Sequence, residues 1–202
     1  EYICLLNNDT EVIDSNWLDI MVGQIQQSNV GAVGIKLLYP NNTVQHAGDA
    51  VGPGGCADHY FNGIEENEPG YMGRAIVAQD LSAVTAACLL TPRKLYEDLE
   101  GLDEKNLQVA FNDVDYCLRV REAGYRVVFT PYAKMFHHES ISRGEDLTPE
   151  KMERAKQEAN YIRQRWSQVI NDDPFYNPNF NYSRPDYELS RFPMVKKPWL
   201  RK

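Results

Sequence analysis

Four apolar runs with the look of strands punctuate the 202-residue chain: YICLL (Tyr2–Leu6), VGAVGIKLLY (Val30–Tyr39), LSAVTAACLL (Leu81–Leu90) and RVVFTP (Arg126–Pro131). Between them lie stretches whose apolar residues recur at helical spacing. Trp17, Ile20, Met21 and Ile25 form one such stripe, which should end near Ser28 and Asn29. A second helix is predicted from about Asn112 to Ala123, stopped by Gly124. A third runs from Pro149 to about Ile170, with Met152, Ala155, Ala159, Ile162, Trp166 and Val169 on one apolar face. Strands alternating with helices predict an α/β fold, a mixed, mainly parallel sheet flanked by helices. YICLL has the pattern of a buried parallel strand, and LSAVTAACLL is the strongest buried-strand signal in the chain. TVQHAGDAV (Thr43–Val51) also reads as a strand, TPRKLYEDL as a strand end with proline at the start of the next helix, and AKMFHHES as an extended edge.

Two segments lack any period. Gly52–Asp80, rich in glycine, proline and acids, is long enough to be a functional lid or a disordered insert. Residues 171–202, rich in Pro, Asn and Tyr, should run extended over the surface as a tail to a domain spanning residues 1–170.

A formal net charge of −8 and a pI of about 5.0 argue against a nucleic-acid partner held through phosphate contacts. The longest uncharged apolar run, LSAVTAACLL, is too short to cross a bilayer. Cys4, Cys56, Cys88 and Cys117 form no CxxC pair, and Cys4, Cys88 and Cys117 lie in apolar segments. They read as small core hydrophobes in a reducing compartment, not as a zinc site or disulfide frame. The first residue is Glu1, and no signal-peptide pattern precedes the first strand, so the chain is expected to be a piece of a longer protein.

Three polar clusters stand at junctions where a strand ends or a helix begins: NND (Asn7–Asp9), NDVD (Asn112–Asp115) and HHES (His137–Ser140). Ligands of open α/β sheets bind at such edges. Brought together, the clusters would offer a carboxylate and an imidazole to a hard-to-borderline divalent ion, with a second carboxylate free for proton transfer. Singly, each has a plain alternative: a solvated strand end capping the next helix, or Asn112 as a cap with both following acids complementing the helix dipole. Helix geometry separates those two acids, because positions two apart lie roughly 200° around the axis. Asp115 stands four residues before Arg119, a structural pairing, and Asp113 is left to face a cleft.

LLNNDTEVIDSNWL, VGAVGIKLLYPNNTVQHAG, SAVTAACLLTPRKLYEDLEGLDE, FNDVDYCLRVREAGYRVVFTPYAKMFHHESISRG and DDPFYNPN together resemble, in this order and over most of the chain, bacterial family-2 glycosyltransferases of the kind that build rhamnan, O-antigen and other surface polysaccharides. The resemblance implies the GT-A fold, which is Rossmann-like, a nucleotide-diphosphate-sugar donor, a saccharide or lipid-linked saccharide acceptor, and inversion at the anomeric carbon. NND resembles the family's DxD motif with Asn7 in place of the first acid. Asp9 would then coordinate Mg²⁺ or Mn²⁺, and Asn7 would face the donor's ribose or a phosphate. FNDVDYCLR resembles the motif that carries the catalytic base, here Asp113, with Asn112 where many members have Glu. His137 resembles the C-terminal metal ligand, with His138 as the alternative.

Around these residues the readings stay open. His46 could line the acceptor cleft or be a satisfied strand histidine, and His59 reads as merely exposed. Tyr60, Phe61 and Tyr71 could stack on a sugar ring or pack their loop onto the core. Arg143 could reach donor phosphates or sit on the surface. KKPWLRK could meet anionic headgroups or be a solvated end. In the family the donor's base and ribose are gripped mainly by units that precede the DxD strand, so the N-terminal part of the domain is expected to be missing. Weak donor binding by the isolated chain and self-association through an exposed sheet flank follow from that expectation. A cytoplasmic site of action is implied, at the inner face of the membrane if the basic end engages lipid. Two rival classes are a non-catalytic sugar-nucleotide-binding module and a metal-dependent nucleotidyltransferase, though no Gly-rich triphosphate loop is present.

Overall fold

The computed structural model describes residues 1–138 and 148–195; Ser140, Arg143 and the KKPWLRK end lie outside them. Strands β1 (Tyr2–Leu6), β8 (Cys88–Pro92), β3 (Val30–Leu38), β9 (Arg126–His137) and β2 (Thr10–Val12) lie side by side in that order. Two further strands join the same sheet, β4 (Val44–His46) on β3 and β7 (Gln79–Leu81) on β9. A separate hairpin pairs β5 (Asp49–Val51) with β6 (Ala57–His59).

Alternation along the strands supplies two apolar faces. Val33, Ile35 and Leu37 of β3 cluster with Met21 and Ile25 of α1 (Trp17–Ile25). Ala32 of β3, with Leu89, Val127 and Phe129, joins the opposite core. There α2 (Arg93–Asp98), α3 (Asn112–Glu122) and α4 (Pro149–Arg165) contribute Leu95, Val120 and Ile162. Helices on both sides therefore make the strands apolar throughout, which is why their composition resembled that of parallel strands. The sheet is mixed, but among the described strands only β3 and β9 run parallel; all its other pairings are antiparallel. β1 is an edge strand, antiparallel to β8, with exposed Leu6 and Cys4, so Cys4 is no core residue, in contrast to buried Cys56, Cys88 and Cys117.

Several segments that read as single elements are divided. LSAVTAACLL contains the end of β7, a turn at Ser82–Ala87 and the start of β8; the turn carries the chain from the flank of β9 into the slot between β1 and β3. Gly34 lies beneath it, where a Cβ would come within 2.5 Å of Val84 Cβ. TVQHAGDAV is split between β4 and β5 at Gly48, whose φ is +93°. RVVFTP and AKMFHHES instead share one strand, β9, whose register with β3 jumps from Ile35↔Thr130 to Lys36↔Lys134. Pro131, which has no N–H for the ladder, stands in that irregularity. The long C-terminal helix breaks at Trp166 into α4 and α5 (Ser167–Ile170), and Met152, 60% exposed, falls off its apolar stripe. No helix among the described residues is long and apolar enough to cross a membrane.

The described part of the C-terminal segment is anchored inward by three rings, while Leu189 and residues 191–195 remain on the surface. Tyr176, Phe180 and Tyr187 are buried in the larger core, where Tyr187 stacks on Tyr60, Phe61 and Tyr71 of the long Gly52–Asp80 segment. That loop and the C-terminal segment thus cover each other, with packing by rings that follow no sequence period. Buried Asp173 fixes the junction: it accepts from the Val51 amide at 2.7 Å, the Ser82 hydroxyl at 2.6 Å and the Phe175 amide at 2.9 Å. Asp173→Ala leaves these donors unpaired and should lower the free energy of unfolding by about 3 kcal/mol. Urea denaturation measures this, with exposed Glu188→Ala as a control expected to stay within about 0.5 kcal/mol of the parent.

Candidate active site

β1 ends at Leu6, and the chain leaves the sheet through Asn7, Asn8 and Asp9 before β2 returns it against the end of β9, with Thr10 opposite His137. This strand pairing sets Asp9 beside a residue far along the chain. His137 Nε2 lies 3.1 Å from Asp9 Oδ1 and 3.2 Å from Asn7 Nδ2. The other ring nitrogen, Nδ1, lies 2.7 Å from Oε1 of Gln45 on β4, while Gln45 Nε2 meets the His137 carbonyl at 3.4 Å, which orients the amide. An amide oxygen only accepts, so His137 Nδ1 carries a proton, and Nε2 is the ring nitrogen turned toward Asn7 and Asp9. The side chains of His137 and Asp9 are 13% and 15% exposed. Two neighbouring ligands of an octahedral Mg²⁺ stand about 2.9 Å apart by the bond lengths that ion takes. The Asp9–His137 pair, with the imidazole tautomer already set by an outer partner, therefore fits a divalent ion. His138 turns elsewhere, to Glu11 Oε2 at 3.0 Å, while its amide donates to the Asp9 carbonyl at 2.8 Å.

Asp113 lies in the first turn of α3, after Phe111 at a left-handed φ of 63°. Its Oδ2 accepts from the Ala86 amide at 3.0 Å, and the next residue of that turn, Ala87, accepts from the Asn7 amide at 3.0 Å. Neighbouring residues of the Ser82–Ala87 turn thus touch the NND segment and Asp113. Asp115 points away into the interior, fully buried. It accepts from Arg119 Nε at 2.8 Å and Trp166 Nε1 at 2.8 Å, and Arg165 Nε lies 3.3 Å away. The Arg119 guanidinium also bonds the Leu99 and Gly101 carbonyls. The pairing of Asp115 with Arg119 is structural, as their spacing indicated.

His46 is completely buried. Its Nε2 accepts from the Thr85 amide at 3.4 Å, and its Nδ1 lies 3.0 Å from His59 Nδ1. His59 is only partly exposed, and its Nδ1 lies 2.5 Å from Asp49 Oδ1. Burial opposes the charge on each of the three, with different outcomes. It lowers the pKa of His46, the nearby Asp49 notwithstanding. For His59, Asp49 together with Asp113 and Asp58 overrides burial and lifts the pKa to about 9. For Asp49, the two imidazoles override it and hold the carboxyl well below the usual carboxylate range. Tyr71 is packed elsewhere, stacked on Tyr187 with ring centroids 4.7 Å apart and edge-on to Phe180.

The structure therefore brings Asn7, Asp9 and His137 together and sets Asp113 across one turn from them, while Tyr71 belongs to the aromatic packing. Sequence reasoning missed Gln45, Asp49 and the part played by His59. The available signal was the period of two in TVQHAGD, which puts Gln45 and His46 on opposite faces of a strand.

A model of the family described as glycosyltransferase like family 2 matches residues 2–171. An uncharacterized protein, y4gI, of Sinorhizobium fredii is 46% identical over 190 residues, which are 94% of this chain and 21% of the relative. The O-antigen biosynthesis protein RfbC of Myxococcus xanthus is 41% identical over 194 residues, 96% of this chain and 15% of the relative. The chain thus spans about a fifth or less of the length of these curated relatives. With a family model matched over residues 2–171 and its α/β architecture of the GT-A type, the chain belongs to glycosyltransferase-like family 2.

Proposed function

We propose that this chain supplies the metal-binding and base-bearing side of a glycosyltransferase for cell-surface polysaccharide, moving a sugar from a nucleotide-diphosphate donor to a hydroxyl of a saccharide or lipid-linked saccharide, with inversion. Membership of the family and a relative named for O-antigen biosynthesis support the reaction class. The observation that carries the chemistry is the Asp9–His137 pair, 3.1 Å apart, with Nδ1 of His137 held by the Gln45 amide oxygen and Nε2 turned to Asp9.

Asp9 and His137 would hold Mg²⁺ or Mn²⁺, with Gln45 keeping the imidazole in the ligating tautomer. The chemistry such an ion would supply there is compensation of the negative charge that grows on the departing diphosphate. Asn7, whose Nδ2 lies 3.2 Å from His137 Nε2, would face the donor's ribose or a phosphate. Asp113 accepts the proton of the attacking acceptor hydroxyl. The Ala86 amide occupies one position on its Oδ2 and steadies the carboxylate, which keeps further lone pairs for that proton. Inversion would require base and leaving group on opposite faces of the anomeric carbon; Asp113 and the NND segment meet successive residues of the Ser82–Ala87 turn. His46, buried against that turn through Thr85, supports the acceptor side from behind.

Transfer is tested with a panel of nucleotide-diphosphate sugars on the natural polypeptide that contains these residues. Asp113→Asn and Asp9→Ala should each reduce transfer at least about a hundredfold with the fold intact by circular dichroism. An Asp113→Asn protein that transfers at the parental rate would remove the base. On the 202-residue chain itself, Gln45→Leu should weaken Mn²⁺ binding about 10- to 100-fold by calorimetry, whereas His138→Ala should leave it unchanged.

A further inference from the structure

The end of β4 and the β5–β6 hairpin assemble a second group of donor atoms. Asp49 and His59 are direct cross-strand partners. Gly48, at φ +93° and pressed against Leu81, turns the chain sharply enough that His46 faces the same point from three residues earlier. His59 Nδ1 is 2.5 Å from Asp49 Oδ1, and His46 Nδ1 is 3.0 Å from His59 Nδ1 and 3.5 Å from Asp49 Oδ1. The side chains of His46 and Asp49 are 1% and 4% exposed, and that of His59 is 38% exposed.

The tautomer of His46 decides what this arrangement can hold. With its proton on Nδ1, His46 faces the Nδ1–H that His59 gives to Asp49, two donors 3.0 Å apart. With its proton on Nε2, His46 faces the amide N–H of Thr85 at 3.4 Å. In that second tautomer His46 Nδ1, His59 Nδ1 and Asp49 Oδ1 can all turn electron pairs to one point, where a cation would take the place of the His59 proton. Ligands about 2.0–2.1 Å from a tetrahedral Zn²⁺ stand roughly 3.3 Å from one another. The observed separations of 2.5, 3.0 and 3.5 Å bracket that value. With two imidazole nitrogens to one carboxylate oxygen, this set is softer than the Asp9–His137 pair and suits a borderline ion.

We propose that His46, Asp49 and His59 form a binding site for a borderline divalent cation such as Zn²⁺, separate from the Asp9–His137 pair, with further coordination positions open on the side of the partly exposed His59. The site stands on these three side chains and holds whether or not the transfer reaction proposed above does.

Co²⁺ titration of the 202-residue chain carrying His137→Ala, followed by visible absorption and equilibrium dialysis, tests it. The expected result is one ion per chain with the intense bands of four- or five-coordinate Co²⁺, displaced by Zn²⁺. Adding His59→Gln, which keeps an amide donor near Asp49, should abolish the bands and weaken binding at least about a hundredfold in a protein still folded by circular dichroism. Asp49→Asn should do the same. Absence of such bands before His59 is changed, or bands that survive either variant, would overturn the site.

Discussion

The position of α3 depends on two buried carboxylates that reach across the same helix pair in opposite directions. Asp115, on α3, receives the Trp166 indole and its own Arg119. Glu158, on α4, receives the amides of Gln108, Val109 and Ala110, the segment that leads into α3. Neither acid would be tolerable in the interior without these donors, since an unpaired buried charge costs several kcal/mol. Once satisfied, they hold both the entrance and the first turn of α3. Asp113 lies between them and has little freedom of direction, so its contact with Ala86 follows from packing and not from local helix capping.

β9 performs the corresponding service for His137. Its first half carries β7 on the edge away from β3, and its second half carries β2. The irregularity around Pro131–Ala133 separates the two registers. Because β2 pairs with the last residues of β9, the segment just before β2 is delivered to His137, and Asp9 arrives without any local signal linking it to a histidine so distant in sequence. Gln45 then completes the arrangement from β4, the antiparallel partner of β3.

What could be read in the sequence was what local periodicity encodes. The stripe from Trp17 to Ile25, the stop at Gly124 and the Asp115–Arg119 pairing all follow from a single helix's geometry. LSAVTAACLL was opaque for a physical reason, because a largely buried turn of small and β-branched residues has the same composition as a buried strand. The C-terminal segment was opaque for another. Tyr176, Phe180 and Tyr187 bury themselves by ring-on-ring contact with Tyr60, Phe61 and Tyr71, which no period announces. Strand direction was equally hidden, since helices on both faces make antiparallel strands as apolar as parallel ones. The family resemblance, by contrast, singled out Asp9, His137 and Asp113 through motif residues, but it said nothing of Gln45 or of the Asp49–His59 pair.

The Ser82–Ala87 turn explains why these groups can stand so close. Thr85 contacts His46, Ala86 contacts Asp113, and Ala87 contacts Asn7, so three successive residues touch three different parts of the site. Such economy needs small side chains in the turn and no side chain beneath it, which is where Gly34 leaves room for Val84. It also needs two faces of β4 to be used at once, Gln45 toward His137 and His46 toward His59. A displacement of this turn by the width of one methyl group would therefore alter the surroundings of the NND segment, the candidate base and the histidine cluster together. Close packing makes such displacements costly, and the rigidity of the site follows from the core beneath it.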